Sequence, residues 1–221
     1  MKIKKHITAL ATAAALSATL PAVAQQSQHM TPETMLSLAR VGASALSPDG
    51  KTVVYSVGFP NIKDNKIRTE LFTISSDGSA RRQITQGVAG VHGARWIQQG
   101  RRISYISSES GAPQVWTMAP DGTDRRQVTN IEGGLSDYLF SPDEKQLAYI
   151  KEISFGKSTK EIYPDLPKAT GRIVTDLMYK HWDEWVETIP HIFIAPVGGE
   201  AITGGKDILE GEPYEAPTKP F

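Results

Sequence analysis

Hydrophobic and polar positions alternate in short bursts along most of the chain. Residues 43–57 read ASALSPDGKTVVYSV, residues 94–107 read ARWIQQGRRISYIS, and residues 138–150 read YLFSPDEKQLAYI. Each burst predicts a short strand, a tight turn and a second strand. Aligning Gly50 with Gly100 and Glu144 puts Tyr55, Tyr105 and Tyr149 in one column. In the first and third bursts the turn is Ser-Pro-Asp followed by Gly or Glu. Proline presets φ there, aspartate bonds to its own backbone, and glycine tolerates a positive φ.

A second piece repeats behind the first. Residues 70–85 (ELFTISSDGSARRQIT) match residues 114–129 (QVWTMAPDGTDRRQVT), so that Asp77-Gly78 meets Asp121-Gly122. Residues 191–203 (HIFIAPVGGEAIT) are a shorter version, with Gly198-Gly199 expected at the hairpin. Asp-Gly and Gly-Gly between β-rich runs are strong hairpin signals. Joined, the pieces give about four strands per unit and a period of roughly 45–50 residues, the pattern of a β-propeller blade. The expected fold is all-β: a partial propeller of about three four-stranded blades, at about 41–85, 91–129 and 135–203, within a domain spanning 41–221. A meandering sandwich also uses many short strands, but the match of a whole hairpin with its flanks argues against it.

Two regions depart from the repeat. Thr31-Pro32-Glu33 is a helix start within an N-terminal segment, 25–40, with Met35, Leu36, Leu38 and Ala39 as the expected buried side. Residues 151–190 form a helical or looped insertion in blade three, with Ile173 to Tyr179 long enough for one or two helical turns. Long insertions in compact repeats often carry function.

Residues 1–24 have the form of a signal peptide. Lys2, Lys4 and Lys5 precede an uncharged run from Ile7 to Leu20, and Ala22-Val23-Ala24 places cleavage after Ala24. The run is too short to span a bilayer. A periplasmic or secreted location is expected, with no membrane anchor, because no cysteine follows the cleavage site for a lipid. The processed chain has 21 Lys and Arg against 24 Asp and Glu, a net charge of −3. The 221 residues are 39% hydrophobic and 22% charged, an ordinary globular composition. The near-neutral balance gives no electrostatic argument for nucleic acid or an acidic membrane. The absence of Cys excludes a disulfide scaffold, a Cys-ligated metal and a cysteine nucleophile.

Three blades do not close with ordinary blade geometry. The expectation is therefore an N-terminal part of a longer polypeptide or a truncated product. Self-association into a ring and an unusual small fold are the competing readings.

Catalytic signatures are scarce. No G-x-S-x-G motif is present, and Ser44 in Gly42-Ala43-Ser44-Ala45-Leu46 fails it at the last position. Gly199 to Lys206 approximates a phosphate loop but has one glycine too many and no following Ser or Thr. The histidines at 6, 29, 92, 181 and 191 show no ligand spacing, so no metal or cofactor is expected. The doublets Arg81-Arg82 and Arg125-Arg126 recur at one blade position, which suggests a structural task; phosphate or carboxylate binding is the alternative. In His181-Trp182-Asp183-Glu184-Trp185, paired carboxylates beside aromatics suit a substrate ammonium. The plainer reading is that the Trp rings pack the insertion and the acids are solvated.

The SPDGK turn, the DG-x-x-x-RQ[IV]T hairpins and LMYKHWDEW before HIFIAPVGG resemble the N-terminal propeller of the prolyl oligopeptidase family of serine peptidases. Within it the chain is most similar to the acylaminoacyl-peptidase branch, and there to an exported bacterial dipeptidyl-peptidase 5 type. The resemblance covers residues 31 to 221 and rests most on LMYKHWDEW, since TolB-type propellers share the blade motifs. It implies a C-terminal α/β-hydrolase domain bearing a Ser-Asp-His triad, and a propeller that admits oligopeptides and excludes folded proteins. It implies release of dipeptides or short N-terminal units, with Asp183 or Glu184 binding the substrate's amino terminus. No triad position has a counterpart here, so no catalytic residue is assigned and this segment alone is expected to be inactive. The rival reading is a TolB-like, non-catalytic periplasmic propeller that binds proteins.

Overall fold

A computed structural model describes residues 29–174, 177 and 179–216. The expected signal peptide lies outside the described residues.

The first hydrophobic repeat folds as α1 (Pro32–Ser37), then β1 (Arg40–Leu46), β2 (Thr52–Asn61), β3 (Lys66–Ser75) and β4 (Arg82–Gln83). The second gives β5 (His92–Ile97), β6 (Arg102–Ser107), β7 (Gln114–Met118) and β8 (Arg126–Gln127). The third gives β9 (Asp137–Phe140), β10 (Gln146–Ser154), β13 (Thr188–Pro196) and β14 (Lys206–Asp207). Between β10 and β13 lie α2 (Thr159–Ile162) and a small hairpin of β11 (Lys180–His181) and β12 (Glu184–Trp185). Each repeat is one four-stranded antiparallel sheet with its strands paired in sequence order, the three propeller blades that the repeat predicts.

The sheets pack face to face through two cores. Val54 and Leu71 of blade one meet Ile103, Tyr105 and Met118 of blade two. Ile106 and Val115 of blade two meet Leu147, Tyr149 and Ala195 of blade three. Polar contacts set the angle at each seam. Trp96 Nε1 donates to the Ala45 carbonyl at 3.0 Å. The Tyr138 hydroxyl bonds the Gly93 carbonyl at 2.9 Å and the Ser104 hydroxyl at 2.8 Å. Burial pushes the Tyr138 phenol well above its ordinary range, so it stays a donor.

The Ser-Pro-Asp turns build themselves. Ser47 Oγ donates to Asp49 Oδ1 at 2.6 Å and accepts from the Thr52 amide at 2.9 Å. Ser141 and Asp143 repeat this, with the Gln146 amide 3.0 Å from Ser141 Oγ. These turns line one rim: Pro48 lies beside Gly100, and the Gln98 amide donates to Glu144 at 2.6 Å. The β2–β3 and β10–β13 connections therefore project from the opposite rim.

The Ser47 hydroxyl, helped by the Lys51 amide, holds the Asp49 carboxyl below its usual 3.8, and Ser141 with the Lys145 amide does the same for Asp143. A depressed carboxylate stabilises the fold above its unfolded value and loses that contribution as pH falls through the folded value. Carbonyl-carbon titration should therefore give both aspartates midpoints below 3.8, and Ser47→Ala should return Asp49 towards 3.8 while leaving Asp143 unmoved. Coincident midpoints in the parent and variant would contradict this account of the turn.

Four expectations need correction. Thr31 does cap α1, accepting from the Thr34 amide at 3.1 Å, but Met35, Leu36, Leu38 and Ala39 are exposed; among the described residues no element buries the apolar side of so short a helix. In blade three the outer strand is Lys206–Asp207, not the segment directly after Gly198-Gly199. Ile202 instead bridges Thr129 of blade two and is buried in the seam, and the Gly205 Cα sits so close to the Ile194 carbonyl that a Cβ would lie 2.8 Å away. β10 and β13 pair from Gln146↔Pro196 to Ser154↔Thr188, so both strands run into the stretch expected as insertion and leave 155–187 between them. Ile173 and Val174 are not helical; the one turn of helix here is α2, where Ser158 and Glu161 form a capping box.

Candidate functional site in the blade-three insertion

The insertion is rooted where β10 ends: the Phe155 amide donates to the Glu187 carbonyl at 2.9 Å. Thr159 Oγ1 donates to the Gly171 carbonyl at 2.7 Å, tying the first half to the second. Arg172 then pairs with Glu187 at 2.7 Å. The β11–β12 hairpin is closed by the Val186 amide on the Tyr179 carbonyl at 3.0 Å.

That hairpin separates the two tryptophans. Trp185 is stacked by Arg172, 4.5 Å from its ring centre, and by Lys180 at 4.7 Å, with Tyr179 against it at 5.8 Å. Its ring is thus already occupied by cations of the chain itself. Trp182 sits at the turn with φ +59 and is 89% exposed. Asp183 and Glu184 are also exposed, and among the described residues neither is in an ion pair. The structure therefore places an exposed indole, stacked on no ring or cation among the described residues, and two exposed carboxylates on the rim away from the Ser-Pro-Asp turns. A cation is the ligand such a set suits.

The arginine doublets have a structural task. The Arg81 guanidinium lies 5.1 Å over Phe72 and that of Arg125 lies 6.0 Å over Trp116. Arg125 also donates to the Tyr105 hydroxyl at 2.9 Å and pairs with Glu109. Blades one and two thus each stack an arginine on an aromatic of the third strand.

Sequence reasoning missed a polar clasp at one position of every third strand. In blade one it is Glu70, fully buried, which accepts from Thr85 Oγ1 and from the Gly87 amide, both at 2.7 Å, and pairs with Arg68. In blade two it is Gln114, which accepts from Thr129 Oγ1 at 2.7 Å and the Ile131 amide at 2.9 Å. In blade three it is His191, whose Nδ1 lies 2.8 Å from Asp207 Oδ2. A buried His–Asp couple is the base-and-orienter half of a nucleophilic site. Here Nε2 has no hydrogen-bond partner among the described residues, and the couple ties β13 to β14.

A cleft of about 790 Å³ lies elsewhere, against blade one, between Phe59, Ile67 and Arg68 of the β2–β3 hairpin and Gly87 to Gly90; no insertion residue lines it. Among the described residues no group of three or more His, Asp or Glu is placed to hold a metal.

No family model matches the chain. It is 62% identical over 194 residues to dipeptidyl-peptidase 5 of Porphyromonas gingivalis, covering 88% of this chain and 28% of that protein. Over most of its length the chain is thus similar to a part of two proteins of that name. The protein of that name from Porphyromonas endodontalis is 49% identical over 195 residues, with the same 88% and 28% coverage. The chain thus spans 28% of the length of these dipeptidyl-peptidase 5 relatives. An acylaminoacyl peptidase from Pyrococcus horikoshii superposes with a TM-score of 0.56 at 12% identity, over 79% of this chain and 26% of that one. At that identity the likeness shows the shared fold alone.

Proposed function

We propose that the chain is the substrate-gating propeller of an exported serine exopeptidase that releases dipeptides or short N-terminal units from oligopeptides, with the hydrolase domain supplied by a longer polypeptide. The observation that carries this reading is the 62% identity to a dipeptidyl-peptidase 5 over 88% of the chain. A rigid ring beside a dry catalytic cleft limits what enters and orients what does.

In this reading the ammonium of an incoming peptide meets Asp183 or Glu184, with the Trp182 indole beside it. The exposure of all three side chains on the connection-bearing rim supports it. One charge-assisted contact is worth about 1.4 kcal/mol, roughly tenfold in rate. In the full-length enzyme, Asp183→Asn or Glu184→Gln should lower kcat/KM for free peptides by about that factor and leave N-blocked peptides unchanged. If the ratio of free to blocked turnover stays at the parent value in both variants, the two carboxylates do not hold the amino terminus.

A further inference from the structure

The three blades differ at the outer edge of the third strand. Leu71, Val115 and Ile192 hold one register position, and the carbonyl of each accepts an amide from the outer segment of its blade. Ile84 donates to Leu71 at 2.9 Å, Val128 to Val115 at 2.8 Å and Ile208 to Ile192 at 3.0 Å. The backbone groups of these residues therefore point away from the second strand. Along an antiparallel strand every second residue aims its N–H and C=O to the same side, so the residue two places earlier also points outward. In blades two and three that residue is a proline, Pro113 and Pro190. Proline has no N–H to offer. Its carbonyl is taken by the connection that follows, by the Leu135 amide at 3.0 Å in blade two and the Ala216 amide at 2.8 Å in blade three. Two blades thus close this edge.

Blade one leaves it open. The residue there is Thr69, which keeps its N–H, and among the described residues no amide of the following connection reaches its carbonyl. β4 pairs only with Phe72 and Thr73, while β3 begins at Lys66. Ile67, opposite Pro60, aims its backbone groups the same way as Thr69. The cleft of about 790 Å³ runs from Ile67 and Thr69 across to Val88 and Ala89, a volume in the range of ligand sites. Pro60 and Ile67 share one face of the hairpin, and Phe59, Lys66 and Arg68 share the other. Ile67 is 57% exposed, Lys66 is exposed, and Arg68 stays half exposed although Glu70 holds one of its nitrogens. An unpaired strand edge is a template for a further strand. We infer that the cleft takes an extended oligopeptide, which adds to the free edge of β3 through main-chain hydrogen bonds with Ile67 and Thr69. Side chains of an added strand alternate between the two faces, so an apolar one meets Pro60 and Ile67 and an acidic one meets Lys66 and Arg68. The site holds the body of a peptide rather than its amino terminus, and it does not rest on the reading of Asp183 and Glu184.

Hydrogen exchange of the full-length protein, read by mass spectrometry over residues 66–71, tests this with a blocked pentapeptide of alternating valine and glutamate as the probe. Blocking removes the amino terminus that Asp183 and Glu184 would hold, so the two readings fail separately. The expected result is slower exchange over 66–71 when the peptide is added. Thr69→Pro gives blade one the residue that the other two blades already carry, so the sheet is retained. It should raise the peptide concentration needed for half-protection by about tenfold, because a main-chain donor is lost. Thr69→Val keeps the N–H and should match the parent. Exchange over 66–71 that the peptide leaves unchanged overturns the inference, as does a Thr69→Pro protein protected as readily as the parent. Protection already present without peptide also overturns it. If that protection grows with protein concentration, a second copy occupies the edge; if it does not, a segment of the same polypeptide does.

Discussion

Glu70→Ala is expected to lower the unfolding free energy by about 3 kcal/mol, whereas Glu70→Gln should cost about 1 kcal/mol. The side chain is fully buried at the start of the blade-one clasp. Alanine leaves the Thr85 hydroxyl and the Gly87 amide without their acceptor, and each stranded buried group costs about 1–3 kcal/mol. The Arg68 side chain is half exposed and turns to water, so its share of the loss is small. Thr85 Oγ1 also accepts from the Leu71 amide at 2.8 Å, so the loosening reaches the third strand and its core residue. Glutamine is the solution that blade two already uses at this position. Gln114 takes the equivalent threonine and the equivalent connection amide with one amide oxygen. Urea unfolding of the parent and both variants measures the two differences. Equal losses would show that the charge on Glu70, not its place as acceptor, holds the strands together.

The clasp also shows where sequence reading stops. The tyrosine column and the Asp-Gly hairpins were legible because the same residue types recur at the same spacing, and each type does its work through its own local geometry. Glu70, Gln114 and His191 occupy one register position and do one job with three different chemistries. Matching by identity sees three unrelated residues there. The outer strand of blade three was misplaced for a related reason. Ile202 looks like the end of a hairpin strand, yet its apolar side chain gains more in the seam against blade two, and the pairing duty passes to Lys206 and Asp207. In the candidate site, the density of tryptophan and acid residues was visible in the sequence. That Trp185 is filled by Arg172 and Lys180 while Trp182 stands free depends on the hairpin that brings 172, 180 and 185 together. No local pattern encodes that contact. The same limit applies to α1, whose apolar spacing announces a buried side but cannot supply the element that would bury it.

Two glycines with the same turn chemistry should respond very differently to alanine. Gly78 and Gly122 each follow the aspartate of an Asp-Gly hairpin, at φ +86 and +88. A Cβ in that left-handed region costs roughly 1–2 kcal/mol wherever it occurs. At Gly78 nothing lies within 4 Å of the added atom, so Gly78→Ala should cost about 1 kcal/mol and no more than strain. At Gly122 the added atom would lie 2.4 Å from the Ile84 carbonyl oxygen and 3.1 Å from its carbonyl carbon. Those are backbone atoms of blade one, held by the Ile84 amide on the Leu71 carbonyl at 2.9 Å, so they do not rotate aside. The turn of blade two must back away from blade one, and the seam built on Val54, Leu71 and Tyr105 opens with it. Overpacking of this kind adds about 1–3 kcal/mol to the strain, giving a total near 3 kcal/mol for Gly122→Ala. Thermal unfolding of the two variants side by side isolates the seam, because the turn strain is common to both. If the two alanines cost the same, the Asp-Gly turn of blade two is not wedged against blade one, and the close approach of the first two sheets is not what fixes their angle.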